Sequence, residues 1–131
     1  MNNSLVYIGT SGWSYNHWTG KFYPADLKNN KWLNYYSKEF NTVEVNSSFY
    51  HLPKLKTFVN WGKNTSGDFC YIRMHGPKGL YCSCYSENEL KKIALLIKKN
   101  LKINIENYVY FNNDAEGYAV KNAKTLMKMV L

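Results

Sequence analysis

The strongest constraint on this chain is an alternation of short β-type runs with stretches whose apolar residues recur at helical spacing. Residues 5–8, 42–46, 69–74 and 108–111 are rich in β-branched and aromatic side chains, as strands are. Trp32, Leu33, Tyr36 and Phe40 follow the first run at helical spacing, facing a sheet. Leu55, Phe58, Val59 and Trp61 follow the second, with Gly62 as the stop. Leu90, Ile93, Ala94, Ile97 and Leu101 follow the third, launched by a Ser86-to-Glu89 capping box. Ala119, Val120, Ala123, Leu126, Met127 and Val130 follow the fourth. Four βα units in a row predict an α/β fold with a parallel sheet and crossover helices.

In such sheets the ligand site lies at the carboxyl ends of the strands, and those ends are polar here. The stretch TVEVNSSFYHLP, residues 42–53, places Val43 and Val45 on one strand face and Glu44 and Asn46 on the other, then runs into Ser47, Ser48, Tyr50 and His51. The third run divides into Cys70, Ile72 and Met74 against Tyr71, Arg73 and His75. The fourth sets Val109 and Phe111 against Tyr110 and Asn112, with Asn113 and Asp114 just beyond. Ser11 and Trp13 close the first run, in a loop that also carries Tyr15, His17, Trp18, Phe22 and Tyr23. Trp13 and His17 are the pocket members expected from that loop.

Each side chain has a functional and a purely structural reading. Arg73 suits a carboxylate or phosphate, or it pairs with Glu44 across the sheet. His75 is a general acid or base, or it bonds a neighbouring carbonyl. Asp114 is a base, a metal ligand or the N-cap of the last helix. Glu44 joins His75 and Asp114 as a candidate catalytic group. Ser11, Trp13, Asn46, Ser47, Tyr50, Arg73, Asn112 and Asn113 are candidate ligand contacts. No Walker loop, dinucleotide fingerprint or nucleophile elbow is present, and no cofactor is indicated.

The 131 residues fit one domain with a full core. No apolar run reaches the length of a membrane span, and the opening Met-Asn-Asn-Ser is not a signal peptide, so a cytoplasmic location is expected. Three cysteines, Cys70, Cys82 and Cys84, fit a reducing compartment, and Cys82-x-Cys84 lacks the second pair that a zinc site requires. The net charge of +8 favours anionic partners, but the lysines fall on the solvent faces of helices, as Lys91, Lys92, Lys98 and Lys99 do. Nucleic-acid binding through exposed aromatics such as Trp13, Trp18 and Tyr50 is thus an alternative to a small anionic or hydroxylated ligand.

The segments IGTSGWSYNHWTGKFYP, WLNYYSKEFNTVEVNSSFYHLP, YIRMHGP and YVYFNNDAEGYAVKNA resemble the YecE-like family, domain of unknown function 72. The resemblance covers nearly the whole chain. It implies a TIM-type (β/α) barrel without an assigned reaction. Such barrels have about 250 residues and eight βα units, so the middle of the barrel is expected to be absent. Residues 1–68 resemble the first two units and residues 69–131 the last two. The expected architecture is a half-barrel of four parallel units that a homodimer closes to eight strands. In that ring the last and first strands pair between chains, and the second and third runs pair within one chain. An inactive deletion remnant is the remaining reading.

Overall fold

A computed structural model describes residues 5–45, 69–78 and 82–131. Strand β1 (Val6–Thr10) leads through short 3-10 turns at Asn16–Trp18 and Asn29–Lys31 into helix α1 (Trp32–Glu39). Strand β2 (Phe69–Met74), helix α2 (Glu87–Leu101), strand β3 (Glu106–Phe111), a 3-10 turn at Ala115–Gly117 and helix α3 (Tyr118–Val130) follow. The three strands form one parallel sheet in the order β1-β3-β2. Thr10, Phe111 and Met74 stand in register, so the strands end level with one another.

The predicted second strand is largely absent among the described residues. Only Glu44 bridges to Ser11, in parallel. Glu44 N donates to Thr10 O and Gly12 N donates to Glu44 O, which lays this segment along the free side of β1. Gly9 permits that approach, because a Cβ there would stand 2.3 Å from Thr42 O. The helix expected around Leu55 to Trp61 lies outside the described residues. A second correction concerns strand order. The first and last runs pair within one chain as β1 and β3, not between chains, because both present complementary backbone edges over five consecutive positions.

Alternation along the strands separates two faces. Val6, Ile8, Met74, Val109 and Phe111 turn to the helices and join Leu90, Ala94, Ile97, Ala119, Ala123 and Leu126 in one core. The capping box forms as its sequence requires: Glu89 N donates to Ser86 Oγ, and Ser86 N donates to Glu89 Oε2. Buried Asn100 donates to Asn107 Oδ1 at 2.8 Å, tying the end of α2 to the start of β3. Leu33, expected to face the sheet, is instead exposed; Trp32, Tyr36 and Phe40 fill the inward side of α1.

The aromatic loop after β1 is chiefly core. Trp18 is fully buried and stacks with Tyr36, while Tyr23 stacks with Trp32 at 4.9 Å. Each polar tip has a partner. The Tyr36 hydroxyl meets Thr10 Oγ1 and donates to Thr42 O, thereby joining α1, β1 and the segment carrying Glu44. Burial pushes that phenol up to about 12, partly offset by its hydrogen bonds to Thr10.

Leu126 has no exposed surface, whereas Leu95 is 68% exposed. Leu126→Ala is expected to cost about 2–5 kcal/mol, and Leu95→Ala to stay within about 0.5 kcal/mol. Urea denaturation monitored by tryptophan fluorescence measures both.

Candidate functional site

The second sheet face is aromatic and polar. Tyr7 stacks on Tyr108 at 4.8 Å, Phe69 meets Tyr108 edge-on, and Tyr71 tilts against Tyr110. At the carboxyl ends of the strands this face gathers around Glu44. Ser11 Oγ donates to Glu44 Oε1 at 2.6 Å, and the Tyr71 hydroxyl donates to Glu44 Oε2. Arg73 places a guanidinium nitrogen 3.0 Å from Glu44 Oε1. The carboxylate side chain is 14% exposed and the arginine 42%.

Glu44 and Arg73 come from opposite sides of the sheet, with β1 and β3 between them. On a flat sheet three strand spacings amount to about 14 Å. The long side chains of Arg73 and Tyr71 reach across β3 and β1 to the Glu44 carboxylate. The partnership with Glu44 is the realised reading of Arg73. Arg73 makes no second ion pair among the described residues and is part-exposed, so it has donors to offer an anion.

Ser11 N donates to Phe111 O and Asn112 N donates to Met74 O, which extends the sheet one step beyond the strand ends. Asn112 and His75 take the positions that follow β3 and β2, near Ser11 and Glu44. The Asn112 Oδ1 atom is buried and has no hydrogen-bond partner among the described residues. His75 is half-buried at this rim. The side chain of Tyr110 lies below it, its hydroxyl 2.7 Å from Thr42 Oγ1; burial, with Glu44 nearby, raises its phenol.

Other candidates are placed elsewhere. Asn113 is fully buried and donates to Ser83 O and Asn122 Oδ1, while Asn122 Oδ1 also accepts from Tyr85 N. These bonds fasten the loop before α2 onto α3, while Asn113 Oδ1, like Asn112 Oδ1, is buried with no hydrogen-bond partner among the described residues. Trp13 is half-buried against the core, and its carbonyl accepts from the Tyr23 hydroxyl. Asn46, Ser47 and Tyr50 lie outside the described residues.

Asp114 occupies the N-cap position of the Ala115–Gly117 turn, but its side chain caps nothing. Its carboxylate accepts the Trp18 indole N–H at 2.8 and 2.9 Å, and His17 Nε2 stands 2.7 Å from Oδ2. Burial pushes this carboxyl above its ordinary 3.8, and the bonds from Trp18 and His17 pull it back only in part. Among the described residues no group of three or more His, Cys, Asp or Glu is placed to hold a metal, and the three cysteines are free thiols.

Sequence reasoning missed Tyr71 as a ligand of Glu44. Its position two residues before Arg73 on the same strand face was the available signal. It also missed the pairing of His17 with Asp114, which joins residues 97 apart and leaves no local signal.

A parallel α/β sheet with an ion pair, hydroxyls and amides at its strand ends defines a protein of the (β/α) class with a candidate ligand face. The family described as "Protein of unknown function DUF72" matches residues 7–72 and again residues 64–131. The chain belongs to this family. The chain is 32% identical to the UPF0759 protein YecE of Escherichia coli K12 over 65 residues, half of this chain and 21% of that protein. The UPF0759 protein YunF of Bacillus subtilis is 34% identical over 68 residues, covering 52% and 23% respectively. The matched part thus spans about a fifth of the length of these curated relatives. A DUF72 family protein of Thermotoga maritima, solved by crystallography, superposes with a TM-score of 0.75 at 19% identity, over 96% of this chain and 99% of that one. That likeness concerns the fold.

Because Asp114 holds its proton more tightly in the folded chain, its contribution to stability falls as pH rises from 3.8 through the raised folded value. Asp114→Asn removes that slope. The stability of the unsubstituted chain minus that of the variant is expected to fall as pH rises above about 4. Urea midpoints measured across that rise give the difference directly.

Proposed function

We propose that the strand-end face binds a small anionic or hydroxylated ligand. Ser11, Glu44, Tyr71, Arg73 and Asn112 form its described part, and Asn46, Ser47 and Tyr50 continue it along the chain from Glu44. The observation that carries this reading is the Glu44–Arg73 pair at the carboxyl end of a parallel sheet, its carboxylate largely buried and its guanidinium part-exposed. An ion pair in this position adds little stability over apolar residues of similar volume. It does supply a fixed donor fork and a fixed acceptor, and the unpartnered Asn112 Oδ1 adds an acceptor for a ligand hydroxyl. His75 stands at the rim to exchange a proton. The lysines of α2 are spread over its exposed side, and no observation favours nucleic acid.

We also infer a half-barrel that two chains close. The family matches the chain in two stretches, and the chain spans about a fifth of its curated relatives. Residues 1–68 then stand for the opening βα units and residues 69–131 for the closing ones. Within the described residues the segment at Glu44 flanks one side of the sheet and β2 the other. Phe69 and Tyr71, 40% and 49% exposed, lie on the face that a closed barrel would cover. In the dimer β2 of one protomer pairs with the Glu44 segment of its partner, giving eight strands.

Light scattering on a sizing column is expected to return twice the chain mass, and the single-chain mass overturns the closure. Ligand-detected NMR with inorganic phosphate, glycerol phosphate and lactate tests the face. At least one is expected to bind, and Arg73→Ala is expected to weaken that binding at least tenfold, about 1.4 kcal/mol. Equal binding by the variant removes Arg73 from the site.

A further inference from the structure

His17 is half exposed, yet its Nε2 is held by two oxygens at once, Asp114 Oδ2 at 2.7 Å and Asp114 O at 3.0 Å. A carbonyl oxygen carries no proton. The carboxylate accepts the Trp18 indole at both of its oxygens and so presents lone pairs, not a hydroxyl, to its neighbours. Nε2 must therefore carry the hydrogen, which fixes the neutral ring in one tautomer with a bare lone pair on Nδ1. Among the described residues no hydrogen bond reaches Nδ1.

A purely structural latch between the β1 loop and the end of β3 does not require this arrangement. The buried Trp18 indole already supplies that link, with two bonds to the same carboxylate. His17 adds an exposed ring whose orientation is fixed by a part-buried carboxylate. The same combination orients the imidazole in acid–base dyads, where the carboxylate sets the tautomer and balances the imidazolium that forms.

The dyad also reaches the strand-end face through one side chain. The Tyr15 hydroxyl donates to Ser11 O at 2.5 Å, and the Tyr15 ring lies 5.5 Å from the His17 ring. Ser11 in turn donates to Glu44. His17 is thus linked through Tyr15 to Ser11, at the carboxyl end of β1.

We propose that His17 is a further proton-transfer residue of this face, beside His75, and Asp114 its positioning residue. This rests on the ligand face proposed above. Nδ1 takes the proton of a ligand hydroxyl: the O–H bond breaks, an N–H bond forms, and the imidazolium is balanced by the Asp114 carboxylate through Nε2. The return of that proton restores the neutral ring, so no other reactant is needed. Asp114 touches only His17 and Trp18 in this scheme and acts through the ring.

Two measurements on the full chain test it, and neither needs the natural ligand. Long-range 15N–1H NMR of the labelled protein is expected to show neutral His17 as the Nε2–H tautomer with an unprotonated Nδ1. Hydrolysis of 4-nitrophenyl acetate is expected to fall at least tenfold in His17→Gln, and measurably in Asp114→Asn, with both variants still cooperatively folded. An Nδ1–H tautomer overturns the proposal, and so does esterolysis that His17→Gln leaves unchanged. Failure of every anion and hydroxy acid to bind, with these two results intact, would instead remove the ligand face and leave the dyad standing.

Discussion

Everything at the candidate site depends on the parallel pairing of β1 with β3. It joins residues about 100 positions apart, so its loop-closure entropy is offset only by contacts made together. Parallel strands gain stability when both faces are covered. The helices cover one face here through Ile8, Val109, Phe111, Ile97 and Leu126. Once the pairing forms, Ser11 must stand beside Phe111 and Asn112 beside Met74, because register leaves no freedom. The polar groups are assembled as a by-product of how the apolar ones pack.

Glu44 shows how such an arrangement remains tolerable. A carboxylate moved out of water is costly unless charge and hydrogen bonds replace its hydration. Ser11 does so from the end of β1, and Tyr71 and Arg73 from β2. Because these donors converge on one carboxylate, strand order is coupled to electrostatics: removing β2 from its place beside β3 would leave Glu44 without Arg73 and Tyr71. The Tyr36 hydroxyl supports the same geometry from behind, accepting from Thr10 N and donating to Thr42 O two residues before Glu44.

Local patterns made the helices and strand faces readable. Ser86 and Glu89 announce the start of α2, and the period-two split of residues 69–74 separates Met74 in the core from Arg73 on the polar face. The Glu44–Arg73 pairing was legible as one of two readings, since charge alone offered both. Strand order was not legible. Alternation shows which face a residue takes, whereas the neighbour of a strand depends on helix packing that no single segment encodes. The bonds of Asn113 were not legible for a related reason: an amide at a strand end looks the same in sequence whether or not it fastens a loop, and its hold on Ser83 and Asn122 depends on how that loop packs.

Asp114 carries the most demanding combination in the molecule. It must accept from a fully buried indole, which favours depth, and from a half-exposed imidazole, which requires nearness to the surface. Depth raises its proton affinity, and both donors lower it. A carboxylate that served the latch alone would be satisfied by Trp18 and by backbone at its own turn. Instead its side chain forgoes the capping bond available at the Ala115–Gly117 turn and turns to His17. The forgone cap is worth about 1 kcal/mol in typical helices, and the bond made in its place is charge-assisted when His17 is protonated. The sequence thus sets a surface histidine in one orientation through a residue that stability alone would have used differently, which is the arrangement expected of a group kept for proton transfer.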